Sequence, residues 1–254
     1  MRRLLARFFT AVKNNALGLL ALLVVWLLVA LFFPPYVLPP PLAVLQTVPA
    51  YLHQETAHHL AVTAYRALAG FGLALTLGTA FGILAFVTHL AARVNTFMVS
   101  LQVIPGTVLG IILLLALGIG NGVPIALVAI LTLPTIAINI ANTLAKKNLA
   151  LEQYLVSAGG AKKHLIRYLY LPALIPTFQS NISIGFGLSV KVVLLGEFIG
   201  SQDGIGYLLN VARIYFNMKE VIFYLVIVLL FTALFETTQS FLFSVCLEKY
   251  FYPG

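Results

Sequence analysis

Apolar residues run along this chain in blocks about as long as a bilayer is thick, separated by short polar interruptions. A hydrocarbon core of about 30 Å takes roughly 20 helical residues. The blocks predict six spans, at about 16–33, 60–87, 96–117, 123–144, 173–198 and 221–245. Gly78 and Gly82 in the second form a GxxxG pair that lets another helix approach closely. Pro105 falls inside the third span and Pro134 inside the fourth, where a missing N–H is expected to kink a helix; Pro124 suits a helix start. Between the first two spans, Pro39-Pro40-Pro41 favours extended geometry and Leu42 to Tyr51 predicts a short interfacial helix. The first block follows Arg2, Arg3, Arg7 and Lys13, as a signal peptide would, but it is long. It ends in Leu31-Phe32-Phe33, not in a small-residue cleavage site, so a retained helix is expected. The expected fold is an all-α membrane protein, one transmembrane domain over residues 1–254.

One conspicuously polar stretch interrupts the pattern, in a loop at about 145–172 that closes with Leu171-Pro172 and then Pro176. Lys146, Lys147, Lys162, Lys163 and Arg167 place a third of the chain's 15 Lys and Arg residues there. Leu151, Leu155 and Ala158 recur at helical spacing, and after Gly159-Gly160 so do Ala161, Leu165 and Leu169. A two-part amphipathic element outside the bilayer needs a partner for its apolar side. The loop therefore reads as a docking element.

Composition and charge sharpen the class. The chain is 61% hydrophobic and 9% charged over 254 residues, with a mean hydropathy of +1.03, too little polar surface for a soluble domain of this size. The net charge of +8 raises nucleic acid as a partner, but the bases sit beside apolar blocks, where topology requires them. Eleven of the 15 fall on one side: the four N-terminal bases, Arg93, the five of the loop, and Lys249. Arg66, Lys191, Arg213 and Lys219 lie outside or within spans. Basic segments are retained in the cytoplasm, so both termini and the loop are expected there. The single cysteine, Cys246, excludes an internal disulfide.

The glycine, basic amphipathic helix and Leu-Pro of the loop resemble the EAA loop of ABC-importer permeases, with Gly159 standing thirteen residues before Pro172 as in that family. Pro176 resembles the LPxxLP variant of the nitrate, sulfonate and taurine branch. His59 to Leu75, Val37 to Leu45 and Gly196 to Arg213 are similar to that branch's second span, first outer loop and fifth-span exit. The acidic position of the pattern falls on Gln153, with Glu152 one place early, and its alanines fall on Tyr154 and Leu155. The resemblance implies a type I importer-like permease in the bacterial inner membrane, working as a homodimer with a cytoplasmic ABC ATPase dimer. It implies an external binding protein, periplasmic or lipid-anchored, that delivers the solute. It implies that Glu152, Gln153, Ala158, Gly159, Gly160, Ala161, Lys162, Leu165 and Pro172 form the coupling element. ATP and Mg are expected in the partner, since this chain carries no GxxxxGK[ST] loop. The implied solute is a small anion such as nitrate, a sulfonate, taurine or bicarbonate. A thiamine-precursor pyrimidine or riboflavin is the alternative, and an ion-coupled secondary carrier is the rival from another class.

Few other residues invite chemistry. Lys191, inside the fifth span, either lines a pathway for an anion or is paired or snorkelling. Glu197 and Arg66, at similar depth, favour a structural ion pair over a solute contact. Gln102, Asn139, Asn142, Gln179, Asn181 and Gln239 suit interhelical hydrogen bonds, with Gln102 also a pathway candidate. The role of Glu236 stays open. His53, His58 and His59 lack the companions of a metal site, and Gly204 and Gly206 suit a turn before an outer helix. No nucleophile–base pair is recognisable, so no catalytic residues, bound cofactor, metal or nucleic acid are expected.

Overall fold

The computed structural model describes residues 17–52 and 54–246 and contains, among them, helices and connecting turns only. The N-terminal bases, His53 and Lys249 lie outside the described residues, as does the side chain of Cys246. The helices are α1 (Leu17–Ala30), α2 (Pro41–Leu45), α3 (Val48–Tyr51), α4 (Gln54–Val87), α5 (Ala91–Gln102), α6 (Gly106–Leu117), α7 (Gly122–Ala145), α8 (Leu149–Ser157) and α9 (Lys162–Leu165). A π-helical turn, Ile166–Tyr170, leads into α10 (Leu171–Gly200), followed by α11 (Ile205–Ile214) and α12 (Met218–Cys246). Four of these are long and apolar enough to cross a membrane, or five if the bent pair α5 and α6 makes one span. The short apolar α1 falls below the roughly 20 residues a span takes.

The third expected span is the clearest departure. Instead of one helix over 96–117, α5 and α6 meet at 84°. Pro105 is the N-cap of α6, with φ −61° and ψ 127°, so the helix restarts there rather than bending through it. Proline disfavours helical geometry in the residue before it and donates no N–H, which together end α5 ahead of it. Pro134, by contrast, lies inside an α7 that remains a single helix. The interfacial helix expected from Leu42 to Tyr51 is divided into α2 and α3, with Pro49 in the first turn of the second.

The chain forms two compact units, one running to Thr63 and resuming at Gln202, the other Ala64 to Ser201. In the first, Trp26 Nε1 donates to the Pro39 carbonyl at 3.0 Å. The Tyr51 and Phe223 rings lie 5.6 Å apart. The start of α11 is satisfied from α4: the N–H of Gly204 donates to His59 Nδ1 and that of Ile205 to Thr63 Oγ1, both at 2.8 Å. His59 is thereby a helix-terminus acceptor, which the sequence did not reveal.

In the second unit α7 is the centre, with eleven buried residues along it. The α4 glycines pack on α7 as the GxxxG spacing predicts. A Cβ on Gly82 would lie 2.7 Å from the Ala137 carbonyl oxygen and from Ile140 Cβ. On the opposite flank, a Cβ on Gly196 of α10 would lie 2.6 Å from Pro124 Cα. The α6–α7 turn is held to the end of α10, where Gly120 N–H donates to the Gly200 carbonyl at 2.9 Å.

Candidate functional site

The polar loop folds as two helical pieces joined at the glycine pair. Asn148 caps α8 by accepting from the Leu151 N–H at 3.0 Å. At the other end Gly159 has φ +77°, and Gly160 N–H donates to the Leu155 carbonyl at 2.9 Å, closing the helix as a left-handed C-terminal cap does. The two glycines are required for different reasons. A Cβ on Gly159 would meet nothing within 4 Å, so only its dihedral is special. A Cβ on Gly160 would sit 2.5 Å from the Leu155 carbonyl oxygen. Steric obstruction therefore belongs to Gly160 alone of the two. Ala161 caps α9, its N–H donating to His164 Nδ1 at 3.1 Å.

The exposed and inward faces of this element differ from the simple periodic reading. Leu151 and Tyr154 of α8 and its C-cap Ala158 are exposed on one face, with Leu149 and Val156 exposed beside them, while Leu155 is half-buried and Leu169 buried. Gln153, Gly159, Ala161 and Lys162 are exposed, and Gly160, Leu165 and Pro172 half-buried. Glu152 turns the other way. Lys147 Nζ donates to its carboxylate at 2.5 Å and to Tyr170 Oη at 3.3 Å, and Tyr170 Oη donates to Glu152 at 3.4 Å. Lys147 Nζ also lies 5.6 Å from the centroids of the Phe86 and Tyr170 rings. The hydrogen bond to Glu152 raises the Lys147 ammonium above its ordinary 10.5, outweighing the opposing cost of burial, and the bond to Tyr170 adds a smaller push the same way. This brace ties α8 to α4, to the end of α7 and to the π turn. Sequence reasoning counted Lys147 only among the loop's bases and did not single out Tyr170 or Phe86, because 18 residues separate Tyr170 from Glu152.

A second polar locus lies between α7 and α10. A cavity of about 480 Å³ is lined by Asn139, Asn142, Thr143, Lys146, Pro176, Thr177, Ser180 and Ile184. Its neutral side chains bond across helices: Asn139 Nδ2 donates to Asn181 Oδ1 at 2.7 Å, and the Thr143 and Thr177 hydroxyls are 2.8 Å apart. Asn95 Nδ2 donates to Asn142 Oδ1 at 2.8 Å, so the interhelical role expected of these amides is present. Lys191 is exposed two turns beyond Ile184 on the same side of α10. Gln102 donates to Thr135 Oγ1 at 3.1 Å, four residues before Asn139. Gln239 is buried on α12. Thr143, Thr177 and Ser180 were missed by the sequence reading, since hydroxyls in spans commonly bond back to their own helix.

Glu197 is not part of that locus. It is fully buried and its Oε1 accepts from Arg66 Nη1 at 3.0 Å, while Arg66 Nε donates to Asn121 Oδ1 at 2.8 Å. The pair joins α4, α7's N-terminus and α10 as a dry ionic tie. No group of three or more His, Cys, Asp or Glu able to hold a metal occurs among the described residues.

The family profile described as binding-protein-dependent transport system inner membrane component matches residues 70–244. The formylaminopyrimidine transport permease protein ThiX of Halalkalibacterium halodurans is 28% identical over 74% of this chain and 76% of its own length. The putative aliphatic sulfonates transport permease protein SsuC of Bacillus subtilis is 26% identical over 81% of this chain and 74% of its own. Among solved structures, a chain of the MetNI methionine ABC transporter in inward-facing conformations superposes with a TM-score of 0.62 at 20% identity. It covers 72% of this chain and 92% of that one, a likeness of fold.

Proposed function

The chain belongs to the family of binding-protein-dependent transport system inner membrane components and is a permease subunit of an ABC importer; on that premise we propose that it passes a small anion. The proposed machine has a single six-span permease domain per chain, with α1 as the first span and the bent α5–α6 pair as the third. Two copies assemble with a cytoplasmic ABC ATPase dimer and an external binding protein, in a bacterial inner membrane with both termini cytoplasmic. ATP and Mg belong to the ATPase, and this chain carries no cofactor or metal of its own.

The observation that carries the reading is the profile match, which spans the 145–172 loop together with α7 and α10 on either side of it. In the proposed coupling step the exposed Leu151–Tyr154–Ala158 face of α8 seats in the ATPase. The glycine turn, Gln153, Ala161, Lys162 and Leu165 shape the contact, and Pro172 starts α10. Glu152 faces Lys147 and Tyr170 on the inner side, so displacement of α8 is passed to the ends of α4, α7 and α10. The α7–α10 locus is the proposed solute path, with Lys146 and Lys191 supplying positive charge and the hydroxyls and amides supplying hydrogen bonds. That chemistry suits a sulfonate or similar anion, in line with the sulfonate-permease relative. The formylaminopyrimidine permease relative supports a second reading, a neutral pyrimidine held by the amides.

The test is ATP-driven uptake in vesicles holding the permease, its ATPase and its binding protein, with a sulfonate and a formylaminopyrimidine offered separately. Sulfonate uptake stopped by removing the ATPase supports the first reading. Pyrimidine uptake alone selects the second, and uptake that persists without the ATPase overturns the coupled mechanism.

A further inference from the structure

A second cavity of similar size has the opposite character. It encloses about 520 Å³, inside the roughly 300–1,000 Å³ range of ligand pockets. Ile83 and Val87 of α4, Leu144 of α7, Leu165 of α9 and Leu174 of α10 form apolar walls, and Lys162 contributes the one cationic side chain. Phe86 and Tyr170, packed edge to face at 5.5 Å, give it a preformed aromatic side. The π-helical turn contributes Ile166 and Tyr170 to the same lining, and a π segment in an otherwise α-helical run frequently marks a functional site.

What occupies such a crevice follows from where the chain places it. It lies at the ends of three membrane-length helices, next to the loop that carries a third of the chain's basic residues. Lys162, Lys163 and Arg167 stand within six residues just ahead of α10, at the proposed boundary between bilayer and cytoplasm. An apolar slot with a cation at one end matches a molecule having a hydrocarbon chain and a phosphate. Basic pockets between spans on the cytoplasmic side recognise anionic headgroups in this way. A transported anion fits poorly here, because the polar hydrogen-bonding groups line the other cavity.

We propose that this crevice is a site for one anionic phospholipid of the inner leaflet, such as phosphatidylglycerol, with an acyl chain between α4 and α10 and the headgroup phosphate on Lys162. The lipid braces the coupling element against the ends of the spans. The assignment rests on the cytoplasmic placement of the loop in the reading above, but it is tested without solute or ATP, so the two can fail separately.

The experiment is native mass spectrometry of the delipidated full chain, alone and assembled with its ATPase, titrated with phosphatidylglycerol or with phosphatidylcholine of the same acyl chains. The expected result is one retained, saturable phosphatidylglycerol per chain, with little phosphatidylcholine. Lys162→Gln lowers that preference about fivefold, the effect of one base at an anionic surface. Val87→Trp, at an exposed position on the crevice wall, blocks retention while the fold, checked by circular dichroism, stays intact. Lys219→Gln, exposed and remote in sequence from the crevice, leaves retention as in the parent. Equal retention of the two lipids, retention unaffected by Val87→Trp, or loss of lipid on assembly with the ATPase overturns the proposal. Competition by glycerol 3-phosphate also overturns it, since the site would then take a soluble phosphate.

Discussion

Replacing Arg66 with methionine removes the guanidinium that faces Glu197 at 3.0 Å, where both side chains are wholly shielded from solvent. The carboxylate then stays buried without that countercharge, and Asn121 loses the 2.8 Å donor that holds it to α4. Removing one partner of a buried ion pair costs about 3–5 kcal/mol. In a chain of this size each kcal/mol shifts the melting temperature by about 2–4 °C, so Arg66→Met is expected to lower it by about 10 °C. The double variant Arg66→Met, Glu197→Gln removes the charge as well as its partner and is expected to recover more than half of that loss. The assay is thermal unfolding of the detergent-purified chain in parent, both single variants and the double variant. A double variant whose loss equals the sum of the singles within about 0.5 kcal/mol would show that the two groups do not interact, and the ionic tie would be refuted.

The glycine pair gives a second test: Gly159→Asn keeps a residue that tolerates positive φ, whereas Gly160→Ala meets the Leu155 carbonyl. Solute-stimulated ATP hydrolysis is expected to survive the first and fall severalfold in the second, and the reverse order would contradict the turn geometry. For the brace, a folded-state pKa above 10.5 means that Lys147 contributes its stability in full below that value and loses it as pH rises further. The melting difference between parent and Glu152→Gln should therefore be constant from pH 6 to 9, worth about 1 kcal/mol or less, and should shrink only above about pH 10.5; a decline already at pH 8 would be inconsistent with the raised value. Lys191→Gln is expected to cut anion uptake severalfold with assembly and basal ATP hydrolysis intact, and Lys191→Arg to retain more; parental uptake by the glutamine variant would remove Lys191 from the path. A cysteine at the exposed Gln202 should react with an impermeant thiol reagent in intact cells, and labelling only after lysis would invert the topology.

The long spans were legible because burial in a bilayer leaves apolar blocks of definite length, and α4, α7, α10 and α12 lie where those blocks lie. The α5–α6 break was not. A proline within an apolar block reports a missing N–H, but the same letter serves the continuous α7 and the 84° bend. Which one results depends on packing: Pro134 is buried within its helix, while Pro105 is exposed. The Arg66–Glu197 pair was legible from matched depth, because two opposite charges inside apolar blocks leave each other as the cheapest partner. In the loop, periodicity found an amphipathic element but not its orientation. Steps of three and four residues both mark neighbours on a helix, so Leu155 and Tyr154 competed for one face, and the structure turns Tyr154 outward. The acid's place could not be read from the motif alone. Glu152 is fixed by Lys147 across a turn and by Tyr170 across the glycine pair, contacts that spacing does not encode.

The contacts between α7 and α10 differ in kind from one end to the other, and the difference has a mechanical consequence. Toward Gly200 the helices meet through glycines on Pro124 and Val123, beside a charged pair that bears a large cost if separated. Toward Thr177 they meet through neutral amide and hydroxyl bonds around a cavity. Interhelical bonds of that kind contribute on average only about 0.6 kcal/mol each, because the separated groups find other hydrogen-bond partners. Separating the helices at the Thr177 end therefore breaks a few exchangeable bonds, whereas separating them at the Gly200 end opens a close-packed seam and pulls on the buried Arg66, which bonds both Glu197 of α10 and Asn121 at the start of α7. The asymmetry favours motion at the end where the loop is attached, with the Arg66–Glu197 end as the fixed point. The brace through Lys147, Glu152 and Tyr170 stands at that same end, so under the proposed coupling a push on α8 would meet the weaker contacts first.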